Sequence, residues 1–214
     1  MRRATLLVTV AAVAAAGLLA GTWYSTTRAT DVFADCRSAS VAGGTGAIGG
    51  PFTLVDQDGR TVTQDDVFTR PSLVYFGYTY CPDVCPLDAA RNAEAVDLLT
   101  ERGYDVQPVF ITIDPERDTP EVLKAFAGYM HPDMIGLTGT PDQVRAASQA
   151  YKTYYSRRET DDPDNYLMDH SVFTYLVLPE HGFVDFFRGA PSYGGEGVEA
   201  DEVAQRTACY LDAA

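Results

Sequence analysis

The chain has 214 residues, 46% of them hydrophobic, which suits one globular domain with an appendage. Its formal net charge is −14, and Arg2 and Arg3 are the only charges before Arg28, so the remainder is two units more negative still. Such a body repels phosphates, which argues against nucleic acid as a partner; the acidity serves solubility first.

The N-terminus reads Met1-Arg2-Arg3 and then runs uncharged from Ala4 through Thr27. As a helix, its more apolar part, Ala4 to Tyr24, spans roughly 30 Å, the thickness of a bilayer core. Arg2 and Arg3 predict a cytoplasmic N-terminus, and Trp23 and Tyr24 fall where an interfacial aromatic belt sits. A cleaved signal peptide is the competing reading, because the core is rich in Ala; an apolar segment longer than the usual signal core favours an anchor. Both readings export the domain. The expected organisation is an anchor or signal over 1–27, a linker over 28–47 rich in Ser, Thr, Ala and Gly, and a folded domain over 48–214.

Phe52-Thr53-Leu54-Val55 and Thr61-Val62-Thr63 flank Asp58-Gly59, a hairpin signal. Residues 72–77 form a buried strand candidate. Ala89, Ala93, Val96 and Leu99 recur at helical spacing, predicting a helix from Pro86 to about Arg102 that Gly103 stops. Val109–Ile113 is the next strand, and the βαβ unit makes the two strands parallel. Thr119-Pro120 opens a helix with a cap and a first-turn proline. Met134 to Leu137 is a short strand. Thr140-Pro141-Asp142-Gln143 is a capping-box pattern that starts a helix through about Tyr151. A polar loop, 156–169, comes next. Val172–Leu178 and Phe183–Phe187 are adjacent strands, and a last helix covers about 197–211. This order predicts an α/β chain with a thioredoxin-like fold and an N-terminal β-hairpin extension.

Cys81 and Cys85 lie where the first βαβ strand gives way to its helix, in Tyr-Thr-Tyr-Cys-Pro-Asp-Val-Cys-Pro. Thiols four residues apart meet on one helical turn, and a helix N-terminus favours the thiolate. The pair can close a disulfide or grip a soft metal ion. His170, in Met168-Asp169-His170-Ser171, stands just before an apolar strand. Alone, such a histidine is more often a hydrogen-bonded structural residue; beside a two-cysteine turn in the same sheet it becomes a third ligand candidate. His131 and His181 lack that setting and are expected to be solvated. Two thiolates and an imidazole suit Cu(I), and with an added oxygen or nitrogen ligand they suit Cu(II). Structural zinc takes four ligands, and only three candidates are found. Cys36 and Cys209 lie near the two ends of the exported part, so a disulfide between them is expected to staple the N-terminal extension to the last helix; the alternatives are free thiols or pairing between molecules.

Gly77–Pro86, the run Ile113-Asp114-Pro115-Glu116-Arg117-Asp118-Thr119-Pro120, Asp169-His170-Ser171 and the opening Gly50-Pro51-Phe52-Thr53-Leu54 together resemble the Sco/SenC family, from about residue 48 to the end. The resemblance implies a membrane-tethered copper protein of the inner membrane, single-pass, with its C-terminal domain in the periplasm. It implies copper, as Cu(I) or Cu(II), on Cys81, Cys85 and His170. It also implies delivery to the dinuclear copper site of cytochrome c oxidase subunit II, with another periplasmic copper chaperone as a further partner. The alternatives are a thiol–disulfide reductase in which Cys81 and Cys85 are the redox-active catalytic pair, keeping the subunit's cysteines reduced, and a redox or copper sensor. Thioredoxin has two residues between its cysteines; here there are three, Pro82, Asp83 and Val84. Asp114 and Asp118 belong to the family motif and are read as shaping a turn and starting a helix. Met168 is a soft-ligand candidate, though Met is commonly core filler. Tyr75, Tyr78 and Tyr80 are read as packing and rim residues.

Overall fold

The hairpin predicted around Asp58-Gly59 forms strands β1 (Thr53–Asp56) and β2 (Thr61–Thr63). Gly59 takes φ 79°, and the Asp56 carboxylate accepts from the backbone N–H of Asp58 and of Arg60, each at 2.9 Å, which closes the turn. The computed structural model describes residues 14–22, 32–37, 44–158, 165–191 and 197–214. It divides into two units, residues 1–35 with Ala214, and Cys36–Ala213. In the first, residues 14–22 are helical. Among the described residues no helix is long and apolar enough to cross a membrane; most of the anchor expected over 1–27 lies outside the described residues.

In the second unit a one-turn helix α1 (Gln64–Val67) leads to β3 (Ser72–Gly77). Then come α2 (Val84–Glu101), β4 (Gln107–Thr112), α3 (Pro120–Met130), β5 (Ile135–Thr138), α4 (Pro141–Ala150), β6 (Tyr155–Arg157), β7 (Met168–His170), β8 (Phe173–Leu178), β9 (Gly182–Arg188) and α5 (Ala200–Ala213). Every residue of β3 and β4 is buried, as strands covered on both faces require. The main sheet runs β2-β1-β5-β4-β3-β8-β9. Its β3, β4 and β5 are mutually parallel, and β8 lies antiparallel to β3. This is the thioredoxin-like α/β fold, widened by the hairpin through the β1–β5 pairing.

Thr119 and Thr140 cap α3 and α4, and the Thr140–Gln143 capping box is complete. Helix α2 starts at Val84, two residues before the expected Pro86, which brings Cys85 into its first turn. Pro86 fits there because a first-turn amide has no partner in the helix. The ends of the expected loop 156–169 are paired instead: Tyr155↔His170, Ser156↔Asp169 and Arg157↔Met168 form a separate two-stranded sheet. Three polar-flanked residues carry too short an alternation to show in the sequence; their partners 11 to 15 positions away define them. Helix α5 packs on α2, and Cys209 on α5 is disulfide-bonded to Cys36.

Candidate metal centre

Strand β3 delivers the chain to the site through Gly77. A Cβ there would stand 2.7 Å from the Tyr75 ring and 3.1 Å from Cys85 Sγ. Only glycine lets the strand end with the thiol packed this closely. The Tyr78–Pro82 turn then folds so that the Cys85 N–H points at Cys81 Sγ, 3.4 Å away. Cys81 sulfur thus occupies the N-terminal end of α2, where free N–H groups favour negative charge. Both thiols are unbridged and buried.

His170 ends β7 and turns its ring onto this pair. Nε2 lies 3.2 Å from Cys85 Sγ, and Nδ1 lies 2.9 Å from the Ser171 carbonyl oxygen. A carbonyl only accepts, so Nδ1 donates there, and Nε2 is the ring atom that faces the sulfurs. Edge-on contacts from Tyr75 and Tyr78, with ring centroids 6.2 and 6.0 Å away, hold the imidazole plane. One ligand atom from each of Cys81, Cys85 and His170 falls within 4.8 Å of the others.

The two sulfurs are not equivalent. The hydrogen bond from Cys85 holds the Cys81 thiol well below its ordinary range, helped by His170 and by the N–H groups of Asp83 and Cys85, against the opposing effect of burial. Burial pushes Cys85 up, as do the hydrogen bond and charge of Cys81. The thiolate is therefore favoured at Cys81, and the proton is held more tightly at Cys85.

Asp114 and Asp118 do more than the expected turn and helix start. Asp118 is fully buried. Its carboxylate accepts from the Thr79 N–H at 3.1 Å and from the hydroxyls of Thr79 and Thr112, both at 2.5 Å. Thr112 Oγ1 in turn accepts from the Asp114 N–H. The Asp114 carboxylate receives Arg117 Nε at 2.5 Å and the Tyr166 hydroxyl at 2.7 Å, and Arg117 also donates to the Tyr166 carbonyl. The chain of contacts ties the cysteine turn, at Thr79, to the segment that carries His170. A second tie is direct: the Met168 N–H donates to the Tyr78 hydroxyl at 3.2 Å. The signal for Asp118 in the sequence was its place in the loop that follows the strand Gln107–Thr112, every residue of which is buried; a carboxylate enclosed there must find donors or stay uncharged.

A cavity of about 280 Å³ opens beside the cysteines, with Cys81, Tyr78, Met168, Asp169 and His170 in its wall and Arg158 at its edge. Arg158 is paired with the Asp169 carboxylate, and Tyr80 on the cysteine turn is exposed, a rim residue as expected. His181 is exposed in its turn. His131 is not solvated: it is buried, with Nε2 3.3 Å from Asp97 Oδ1 and Nδ1 accepting from the Asp133 N–H. It ends α3, and its backbone N–H still donates into the helix, which draws the ring inward.

Chemically, the arrangement offers two soft sulfurs and one lone-pair nitrogen, converging from a rigid helix end and a pinned strand. That donor set fits a soft cation with three ligands and an open side toward the cavity. It equally forms a dithiol that can close into a disulfide.

A family model described as SCO1/SenC matches residues 41–205. Over 212 residues, 99% of this chain and 91% of the relative, the sequence is 50% identical to Protein SenC of Rhodobacter capsulatus. Among solved structures, copper-bound ScoI of Arabidopsis thaliana superposes with a TM-score of 0.70 at 39% identity, covering 78% of this chain and 99% of that one. Copper-bound ScoI of Bradyrhizobium japonicum gives 0.66 at 36% identity, covering 77% and 100%.

Proposed function

Because the chain belongs to the SCO1/SenC family, we propose that it is a copper metallochaperone that takes the ion on Cys81, Cys85 and His170. The observation that carries this reading is the convergence of the two Sγ atoms and a ring nitrogen within 4.8 Å. The copper-bound state of two related structures supports it. Binding displaces the Cys85 proton, so copper retention falls as pH drops and the ligands protonate. The cavity side leaves the ion reachable by the thiolates and imidazoles of an acceptor, and transfer proceeds by ligand exchange with no change of oxidation state. The family resemblance implies that the acceptor is the dinuclear copper site of cytochrome c oxidase subunit II. It implies that this domain works on the periplasmic side of the inner membrane, tethered through the N-terminal segment.

The test is metal analysis of the reduced full-length protein after desalting. One copper per chain is expected, lost in Cys81→Ser and Cys85→Ser and strongly weakened in His170→Ala. A reduced wild-type protein that keeps no copper refutes the reading.

A second reading rests on the split thiol pair. The Cys81 thiolate can attack a partner disulfide to form a mixed disulfide. Cys85, losing its proton, then attacks Cys81 Sγ, leaving a Cys81–Cys85 disulfide and a reduced partner. His170→Ala separates the two: it cripples copper retention and leaves disulfide exchange largely intact.

A further inference from the structure

His170 is joined on its strand by a second soft donor. Met168 and His170 are residues i and i+2 of β7, and in a strand such residues project from one face. Asp169 between them takes the other face: it pairs with Arg158 and is about half exposed, 46%. Met168 packs against the core cluster that contains Tyr78, Cys81 and Cys85; like Asp169 it lines the cavity shared by Cys81 and His170, and it also borders a second cavity with Asp114 and Tyr166. Its position is held from behind by the Met168 N–H to Tyr78 hydroxyl bond. That bond fixes the strand against the turn bearing Cys81.

We propose that Met168 is a further copper-contacting residue, a thioether at the cavity side of the two-cysteine, one-histidine site. The inference rests on the copper reading above. Its chemistry differs from that of the other ligands in one useful respect. A thioether is neutral and carries no proton, so no proton competes with Cu(I) for its sulfur. It completes the soft donor set on the open side of the site. Because it is the weakest ligand, it is the one an incoming acceptor displaces first. A flexible, half-buried thioether at the cavity wall also has room to move with the ion by a rotamer change.

The experiment is selenium K-edge absorption on the selenomethionine-labelled full-length protein loaded with Cu(I), with copper content measured on the same sample. The chain has four methionines. A copper scatterer at selenium is expected in the wild type and in Met130→Leu and Met134→Leu, and absent in Met168→Leu. In competition with a chromophoric Cu(I) chelator, Met168→Leu is expected to hold copper roughly tenfold less tightly. Leu is close in volume, so the fold is retained. A copper-loaded wild type with no selenium–copper contact overturns this proposal alone, as does a contact that survives Met168→Leu. A wild type that retains no copper overturns it together with the copper reading.

Discussion

Removing the Asp118 carboxylate tests whether the cysteine turn is held by the buried acid. In Asp118→Ala the Thr79 N–H and the hydroxyls of Thr79 and Thr112 lose their acceptor. The hydroxyls can rotate toward other oxygens, but the N–H cannot move without unfolding the turn. An unsatisfied buried donor costs about 1–3 kcal/mol, and the vacated space adds to it, so the total expected loss is about 3–4 kcal/mol. Asp118→Asn keeps one acceptor oxygen. Burial raises the Asp118 pKa, outweighing the hydrogen bonds that lower it. A carboxyl raised in this way penalises the charged folded state at high pH, and the penalty fades as pH falls through the folded value. The neutral amide escapes that penalty, so Asn is expected to cost only about 1 kcal/mol at pH 7. Urea unfolding tracked by far-ultraviolet circular dichroism measures both. Copper competition on the same samples should show the Ala variant binding at least tenfold more weakly, because the turn that aims Cys81 is loosened. Equal stability of the Ala variant and wild type, or an Asn variant as unstable as Ala, refutes the argument that these donors need this acceptor.

The thiol asymmetry predicts selective alkylation. Because Cys81 is held below the ordinary thiol range, iodoacetamide should label it at pH 6, with a rate nearly unchanged from pH 8. An ordinary thiol slows on the order of 100-fold over that interval. Peptide mapping that finds Cys85 labelled first, or an ordinary pH profile at Cys81, contradicts the assignment. Gly77→Ala inserts a methyl 2.7 Å from the Tyr75 ring; the buried ring has no room to yield, so a loss of about 1–3 kcal/mol is expected in thermal or urea unfolding, and a neutral effect would show that the strand end relaxes freely. The Cys36–Cys209 disulfide spans a sequence separation of 173. In the chain-entropy model a loop of that size is worth about 5 kcal/mol, so the double variant Cys36→Ser, Cys209→Ser should unfold at much lower urea. A difference under about 1 kcal/mol would mean that the link is energetically idle.

The order of strands and helices was already written in short-range patterns. The apolar runs 72–77 and 109–113, the Thr119-Pro120 start and the Thr140–Gln143 box are local signals. Each acts within one element, so each can be read without knowing the rest of the chain. The closeness of Cys81 to Cys85 is local for the same reason, since four residues make one helical turn. What tertiary structure alone decided is everything that joins distant segments. The ring of His170 meets Cys85 across 85 positions, Asp118 reaches Thr79 across 39, and the short strands β6 and β7 exist only as each other's partners. The start of α2 at Val84 comes from packing of the cysteine turn, not from propensity. His131 is buried because its helix end turns inward. Periodicity reports which face of an element is apolar; it carries no information about which distant polar group will be enclosed with it. That choice belongs to the sheet order, which sets β3 beside β4 and β8 and so gathers the cysteine turn, the Asp114–Asp118 loop and the His170 strand at one end of the sheet.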